Sequence, residues 1–179
     1  MSITGLLFQG GESPGLQAKS NLINFYKGHI MNTAITGNKL DTTVTKNNLD
    51  DTGKLLLRAV LSILILFHGV SKLIGGAGFI TGLVTKAGLP ASLGYLVYVG
   101  EVLAPLLVLF GIWARIGALI IVGNMIVAIL LVHTGDVFKI NQTGGWQLEL
   151  QGMFLVAAVA VSLLGAGRYS VQGTQNKWN

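Results

Sequence analysis

Cysteine is absent from the 179 residues, which removes structural disulfides, dithiol redox chemistry, thiolate nucleophiles and cysteine-ligated metals from consideration. Charge is scarce as well. Asp, Glu, Lys and Arg make up 11% of the chain, against 51% apolar residues and a mean hydropathy of +0.66. That balance is far from an ordinary soluble domain. The formal charge of +5 is spread as single Lys and Arg residues, many at the ends of apolar runs. Such a distribution speaks for membrane orientation and lipid head groups rather than nucleic-acid binding. The start, MSITGLLF, has neither a basic n-region nor an apolar run long enough for a signal sequence, so no cleaved signal peptide is expected. No HExxH-like spacing links the histidines and acids, and no metal is expected. Gly75-Gly76-Ala77-Gly78 lacks the strand and helix context of a phosphate loop and reads as a bend.

What the chain does have is long apolar runs, concentrated from Leu55 onward. The first, Leu55 to Ile74, LLLRAVLSILILFHGVSKLI, spans roughly 30 Å as a helix, the thickness of a hydrocarbon core. It nevertheless carries Arg58, Ser62, His68 and Lys72. At 100° per residue these four share an arc of about 120°. Ionisable groups facing lipid are costly, so the stripe should face other helices or a wet cavity. Arg58 and Lys72 sit near opposite ends, where snorkelling to the two interfaces accounts for them. His68 lies more than a turn inside the end and is the stronger functional candidate.

Three further spans follow, at about Leu93 to Ile112, Ile116 to Val132 and Leu148 to Leu164. The expected fold is therefore all-α, a polytopic membrane protein built as an antiparallel four-transmembrane-helix bundle. Trp113 to Arg115 is short enough to force the middle two helices antiparallel. Between the first two spans, Phe79, Ile80, Leu83 and Val84 recur at helical spacing and predict a short interfacial helix before Pro90. Residues 51–170 form the membrane domain and 171–179 a short polar tail. Residues 1–50 are rich in Asn, Thr, Lys and Gly, with no sustained apolar period, and predict disorder or a transient helix around Leu22 to Tyr26. Met31 offers an alternative start that leaves the membrane part unchanged. With four spans, Lys46, Lys54, Arg58, Arg115, Arg168 and Lys177 fall on the side of the termini, and Lys72, Lys86 and Lys139 on the other. Six against three favours cytoplasmic termini.

The intramembrane polar groups gather toward one end. Glu101 lies ~12 Å inside the second span, Asn124 lies ~13 Å before His133, and His68 is ~9 Å from the same side. Glu101 has Tyr98 and Pro105 on its face, and Gly100 with Ala104 forms a small-xxx-small notch beside it. Pro105 also frees the Glu101 carbonyl from its usual helical bond. A carboxylate at that depth must be paired, hydrated or protonated. His68, Lys72, Glu101 and Asn124 are accordingly the candidate polar cavity, with Arg58, Tyr98, His133 and Glu149 as secondary candidates. Asn124 and His133 are half a turn out of phase, so they cannot serve one spot unless the helix end unwinds. Glu149 is explained by the helix macrodipole.

Taken in order, LLLRAVLSILILFHGVSKLIGG, GFITGLVTKAGLP, YVGEVLAPLLVLFGIWARIGA, NMIVAILLVH and LLGAGRYS resemble the DoxX family of four-span bacterial membrane proteins, over about Leu55 to Ser170. The resemblance implies a four-helix bundle in the bacterial inner (plasma) membrane. It places Arg58, His68, Lys72, Glu101, Arg115, Asn124 and His133 on positions that members often share. It also implies association with quinone-linked redox complexes, without an agreed reaction. A quinone is the implied cofactor, and the implied partners are the lipid bilayer, a redox-complex protein or a second copy. A scaffold or assembly factor is the competing reading. A small-solute transporter ranks below both, since no inverted repeats are evident.

Overall fold

The computed structural model describes residues 14–173 and 175–179, so the MSITGLLF start lies outside the described residues. The chain divides into two units, Met1–Asn47 and Asn48–Asn179. Helix α1, Pro14–Gly75, runs across that boundary. In the first unit residues 14–47 are helical, where composition suggests disorder or a transient helix around Leu22 to Tyr26. Every side chain described there is exposed.

The second unit is helical throughout its framework. Three of its helices are long and apolar enough to cross a membrane: Asn48–Gly75 of α1, the composite Ala91–Phe110, and α5, Ala114–Val132. A fourth apolar helix, α6 (Glu149–Leu164), has 16 residues and reaches roughly 24 Å. A short helix α2, Gly78–Lys86, follows the first span and buries Val84. The composite helix begins as a 3₁₀ turn at Ala91–Tyr95 and passes through one α-turn, α3 (Leu96–Tyr98). It widens into a π-turn over Val99–Leu103 and continues as α4, Ala104–Phe110.

All four long helices contribute to one apolar core. Leu61 and Ile65 of α1 meet Ala104 and Val108 of α4, Ala118, Ile121 and Met125 of α5, and Phe154, Ala158 and Val161 of α6. Where lipid replaces water, burial alone gives helices little reason to associate, and close approach through small residues has to supply it. Gly117 of α5 does this against α4. A Cβ there would sit 3.0 Å from the Ala104 carbonyl oxygen and 3.0 Å from a Val108 methyl.

The inward face of α1 consists of Arg58, Leu61, Ser62, Ile65, Gly69 and Lys72, at the spacing of a helical seam. Arg58, Leu61, Ser62, Ile65 and Gly69 are buried. His68 falls about 70° from the centre of that face and is exposed at its edge.

Arg58 does not snorkel. It is 1% exposed, with its guanidinium donating to the carbonyls of Val108, at 3.4 Å, and Tyr169. The cause is Gly111, in the left-handed region at φ 67°, whose missing Cβ leaves the room the guanidinium occupies. Residues after α6 then fold over this end. Val171 donates to the Phe110 carbonyl at 3.0 Å, Arg115 N–H to Trp178 at 3.0 Å, and the Arg115 side chain to Asn179 and Ser162 carbonyls, each at 3.1 Å.

Gly69 makes a close backbone approach to the composite helix. A Cβ on Gly69 would overlap the backbone carbonyl of Glu101. Overpacking of this kind usually costs about 1–3 kcal/mol. Gly69→Ala should therefore lower the thermal midpoint in mild detergent, whereas Gly82→Ala, with open space around it, should leave it near wild type.

Candidate polar cavity

Pro105 explains the backbone around Glu101. In an α-helix its ring would collide with the carbonyl four residues earlier and could not donate to it. The chain answers by widening, so that Ala104 N–H bonds to the Val99 carbonyl five residues back. The Glu101 carbonyl, freed from the ladder, is met by the bare Cα of Gly69. π-turns inside helices occur often at functional sites. Gly100, in the same turn, is filled by Asn124, whose side chain lies where a Gly100 Cβ would be. The small-xxx-small notch thus admits an amide from α5.

Glu101 is 6% exposed and its carboxylate is paired with the Lys72 ammonium. Lys72 is only partly buried, with 27% of its side chain exposed. Tyr98 donates its hydroxyl to the Lys72 carbonyl at 3.1 Å, closing the last turn of α1 onto α3. Lys72 is therefore an ion-pair partner rather than a snorkelling anchor. One buried partner without the other would leave an uncompensated charge, which is what makes such pairs costly to break.

A cavity of about 650 Å³ opens beside this pair. His68, Lys72, Glu101, Asn124 and His133 all line it, joined by Gln151 of α6, and most of the remaining wall is aliphatic. His68 stacks edge-on against Phe154, with ring centres 5.9 Å apart. The Asn124 amide nitrogen is buried without a hydrogen-bond partner, an unmet donor beside the cavity. Asn124 and His133 share the cavity because α5 stops at Val132. His133 leaves helical geometry at φ −121° and ψ 13°. Its Nδ1 faces Asp136 at 3.4 Å and its Nε2 faces Gln151 at 3.3 Å, while Lys139 holds the other Asp136 oxygen at 3.0 Å. Gln151 and Asp136 were not singled out by sequence. The signal for Gln151 was its place in the first turn of the fourth apolar helix, at the same end as Lys72.

The other secondary candidates lie apart from the cavity wall. Arg58 and Ser62 form a separate buried polar group at the opposite end of the bundle, where the Arg58 Nε and the Ser62 hydroxyl have no partner. Glu149 is exposed in the first turn of α6, as a macrodipole residue should be. Among the described residues no three His, Asp or Glu side chains gather as a metal site. An ion pair, two imidazoles and an unmet amide donor around an aliphatic chamber suit an apolar molecule bearing a few oxygen acceptors.

These features define an all-helical protein of membrane type, with an apolar cavity whose polar groups come from four helices. Residues 53–134 match the DoxX family model, so that stretch of the chain is similar to the DoxX family. The chain is also similar to a Bacillus subtilis (strain 168) protein named "Putative oxidoreductase CatD", with 29% identity over 116 residues, 65% of this chain and 81% of that one. The family match contains Arg58, His68, Lys72, Glu101, Asn124 and His133 and stops short of α6. No solved structure matches the chain significantly.

Asp136 supplies a test of the cavity mouth. Hydrogen bonds from Lys139 first and His133 second hold its carboxyl below the ordinary aspartate value of 3.8. A folded value below the unfolded one gives stabilisation that is complete above about pH 4 and fades as pH falls through the folded value. The Trp146 indole, which donates to the Val137 carbonyl at 2.7 Å, reports on this loop. Its emission should hold steady down to about pH 4 in wild type and already be altered at neutral pH in Asp136→Asn. Identical traces for both proteins would count against the arrangement.

Proposed function

We propose that the protein is a quinone-linked subunit of a redox system in the bacterial inner membrane. The observation that carries this reading is the convergence of the Lys72–Glu101 pair, Asn124 and the His133–Gln151 contact on one largely aliphatic cavity. A volume of about 650 Å³ falls within the usual range for small-molecule sites, roughly 300–1,000 Å³. A quinone ring is flat and apolar, with carbonyl oxygens that accept hydrogen bonds, and the buried Asn124 amide nitrogen is a donor still lacking an acceptor. When bound, a quinone would supply two-electron, two-proton redox chemistry. The chain's own residues would bind and orient it: Asn124 and Lys72 as donors, Glu101 and His133 as groups able to hold a proton, His68 at the rim. The relative named as an oxidoreductase supports the redox part of the reading.

The same reading has α6 crossing the bilayer as a fourth span, alongside α5, with which it shares the core. A helix of this length needs some local thinning of the bilayer, a modest cost. Both termini then face the cytoplasm, as the excess of Lys and Arg on that side favours.

The protein purified in mild detergent should release a quinone on solvent extraction. After extraction, a short-chain ubiquinone or menaquinone analogue should raise its thermal midpoint. Glu101→Gln should lose that protection. His133→Ala, which leaves the buried ion pair in place, should retain the fold and weaken protection by about tenfold, the effect of losing one charge-assisted contact. No extracted quinone, together with no protection in wild type, would refute the proposal.

A further inference from the structure

The cavity is not closed on every side. Of the side chains that wall it, Leu93 and Leu96 of the composite helix, Val127 of α5 and Phe79 of α2 are also exposed on the outside of the bundle. Gly123 of α5 lines the same space and is exposed, and a Cβ built there would meet nothing within 4 Å. At 100° per residue, Gly123 and Val127 stand about 40° apart and at least ~120° from the core residues Ile121 and Met125. They form the outer edge of the α5 wall, turned away from the packed core. Helix α5 packs on α4 and on the π-turn, and Leu93 and Leu96 lie beyond that contact, where the composite helix starts. The gap between the two helices is a slit into the cavity.

Depth decides what can pass through it. Gly123 is at the midpoint of α5, Ala114–Val132, about 14 Å from either end. On a helix long and apolar enough to cross a membrane, that is the middle of the hydrocarbon layer, so the slit meets acyl chains rather than water. Along α5 the cavity wall runs from Ile120 to Val132, roughly 18 Å, longer than one flat ring fills. Its polar groups stand from Asn124 and Glu101 outward to Lys72 and His133, while Ile65, Val99 and Ile120 wall the rest. We infer that the molecule held here is membrane-borne and long-tailed. Its polar ring lies among Lys72, Glu101, Asn124 and His133, and its hydrocarbon chain leaves between the composite helix and α5, past Gly123 and Val127, into the acyl layer. This rests on the quinone reading of the cavity and narrows it to quinones with an isoprenoid chain, rather than small water-soluble ones.

A quinone carrying a photoreactive diazirine on its isoprenoid chain, close to the ring, tests this on the full-length protein in phosphatidylcholine vesicles. After illumination, adducts mapped by mass spectrometry should fall on Leu93, Leu96, Gly123 and Val127, and excess short-chain quinone should displace them. Gly123→Trp, built into open space, and Val127→Trp should each cut the adducts about tenfold by crowding the slit. The short-chain quinone should still raise the thermal midpoint of both variants. Adducts concentrated at His68 and Leu150, which line the cavity on α1 and α6, would overturn the inference, as would labelling that both tryptophan variants leave unchanged. Adducts that short-chain quinone fails to displace would overturn it too, by marking the slit as an ordinary lipid-facing groove. A short-chain quinone that does not protect the wild-type protein would sink the quinone reading and this one with it, whereas protection without labelling at the slit would sink this one alone.

Discussion

A carboxylate inside an apolar bundle has few ways to exist, and the pairing of Glu101 with Lys72 is the one this chain uses. Several neighbouring residues follow from it. Pro105 forces the turn that carries Glu101 to widen, which strips a backbone carbonyl of its helical partner. Gly69 brings α1 close enough to cover that carbonyl, and Lys72, three residues later on the same face, arrives at the carboxylate. Gly100 opens the other flank to Asn124. Proline, two glycines and an ion pair thus lock three helices together where hydrophobic burial has little to offer.

The two ends of the bundle solve the same problem differently. At one end Arg58 is buried, with its terminal guanidinium nitrogens donating to carbonyls of α4 and of the segment after α6. No cavity residue is needed there, and the C-terminal residues are stitched over the top. At the other end the polar groups are only partly covered, and aliphatic side chains line a chamber beside them. Polar groups that are fully packed hold a structure together. Those left beside open space can meet a ligand.

Much of this was legible before any coordinates. Apolar runs interrupted by single charges gave the long helices, and depth counting brought His68, Lys72, Glu101 and Asn124 to one end, where they line one cavity. Other features were not legible, for physical reasons. The burial of Arg58 depends on a left-handed glycine fifty-three residues away, which a periodicity argument cannot see. His133 reaches the Asn124 side of α5 because the helix stops one residue before it, and helix ends are the least certain feature of a pattern reading. Gln151 looked like an ordinary first-turn residue until α6 was placed beside α5. The role of Gly69 became visible only once its neighbour across the interface was known, because an absent side chain carries no periodic signal.

The central claim is that Glu101 and Lys72 neutralise each other within the bundle. Thermal unfolding in mild detergent of Lys72→Met, Glu101→Gln and the double variant tests it most directly. Each single change should cost about 3 kcal/mol or more by stranding the other charge, and the double variant should recover most of that loss. Single variants as stable as wild type, or a double variant that simply sums two losses, would contradict the pairing.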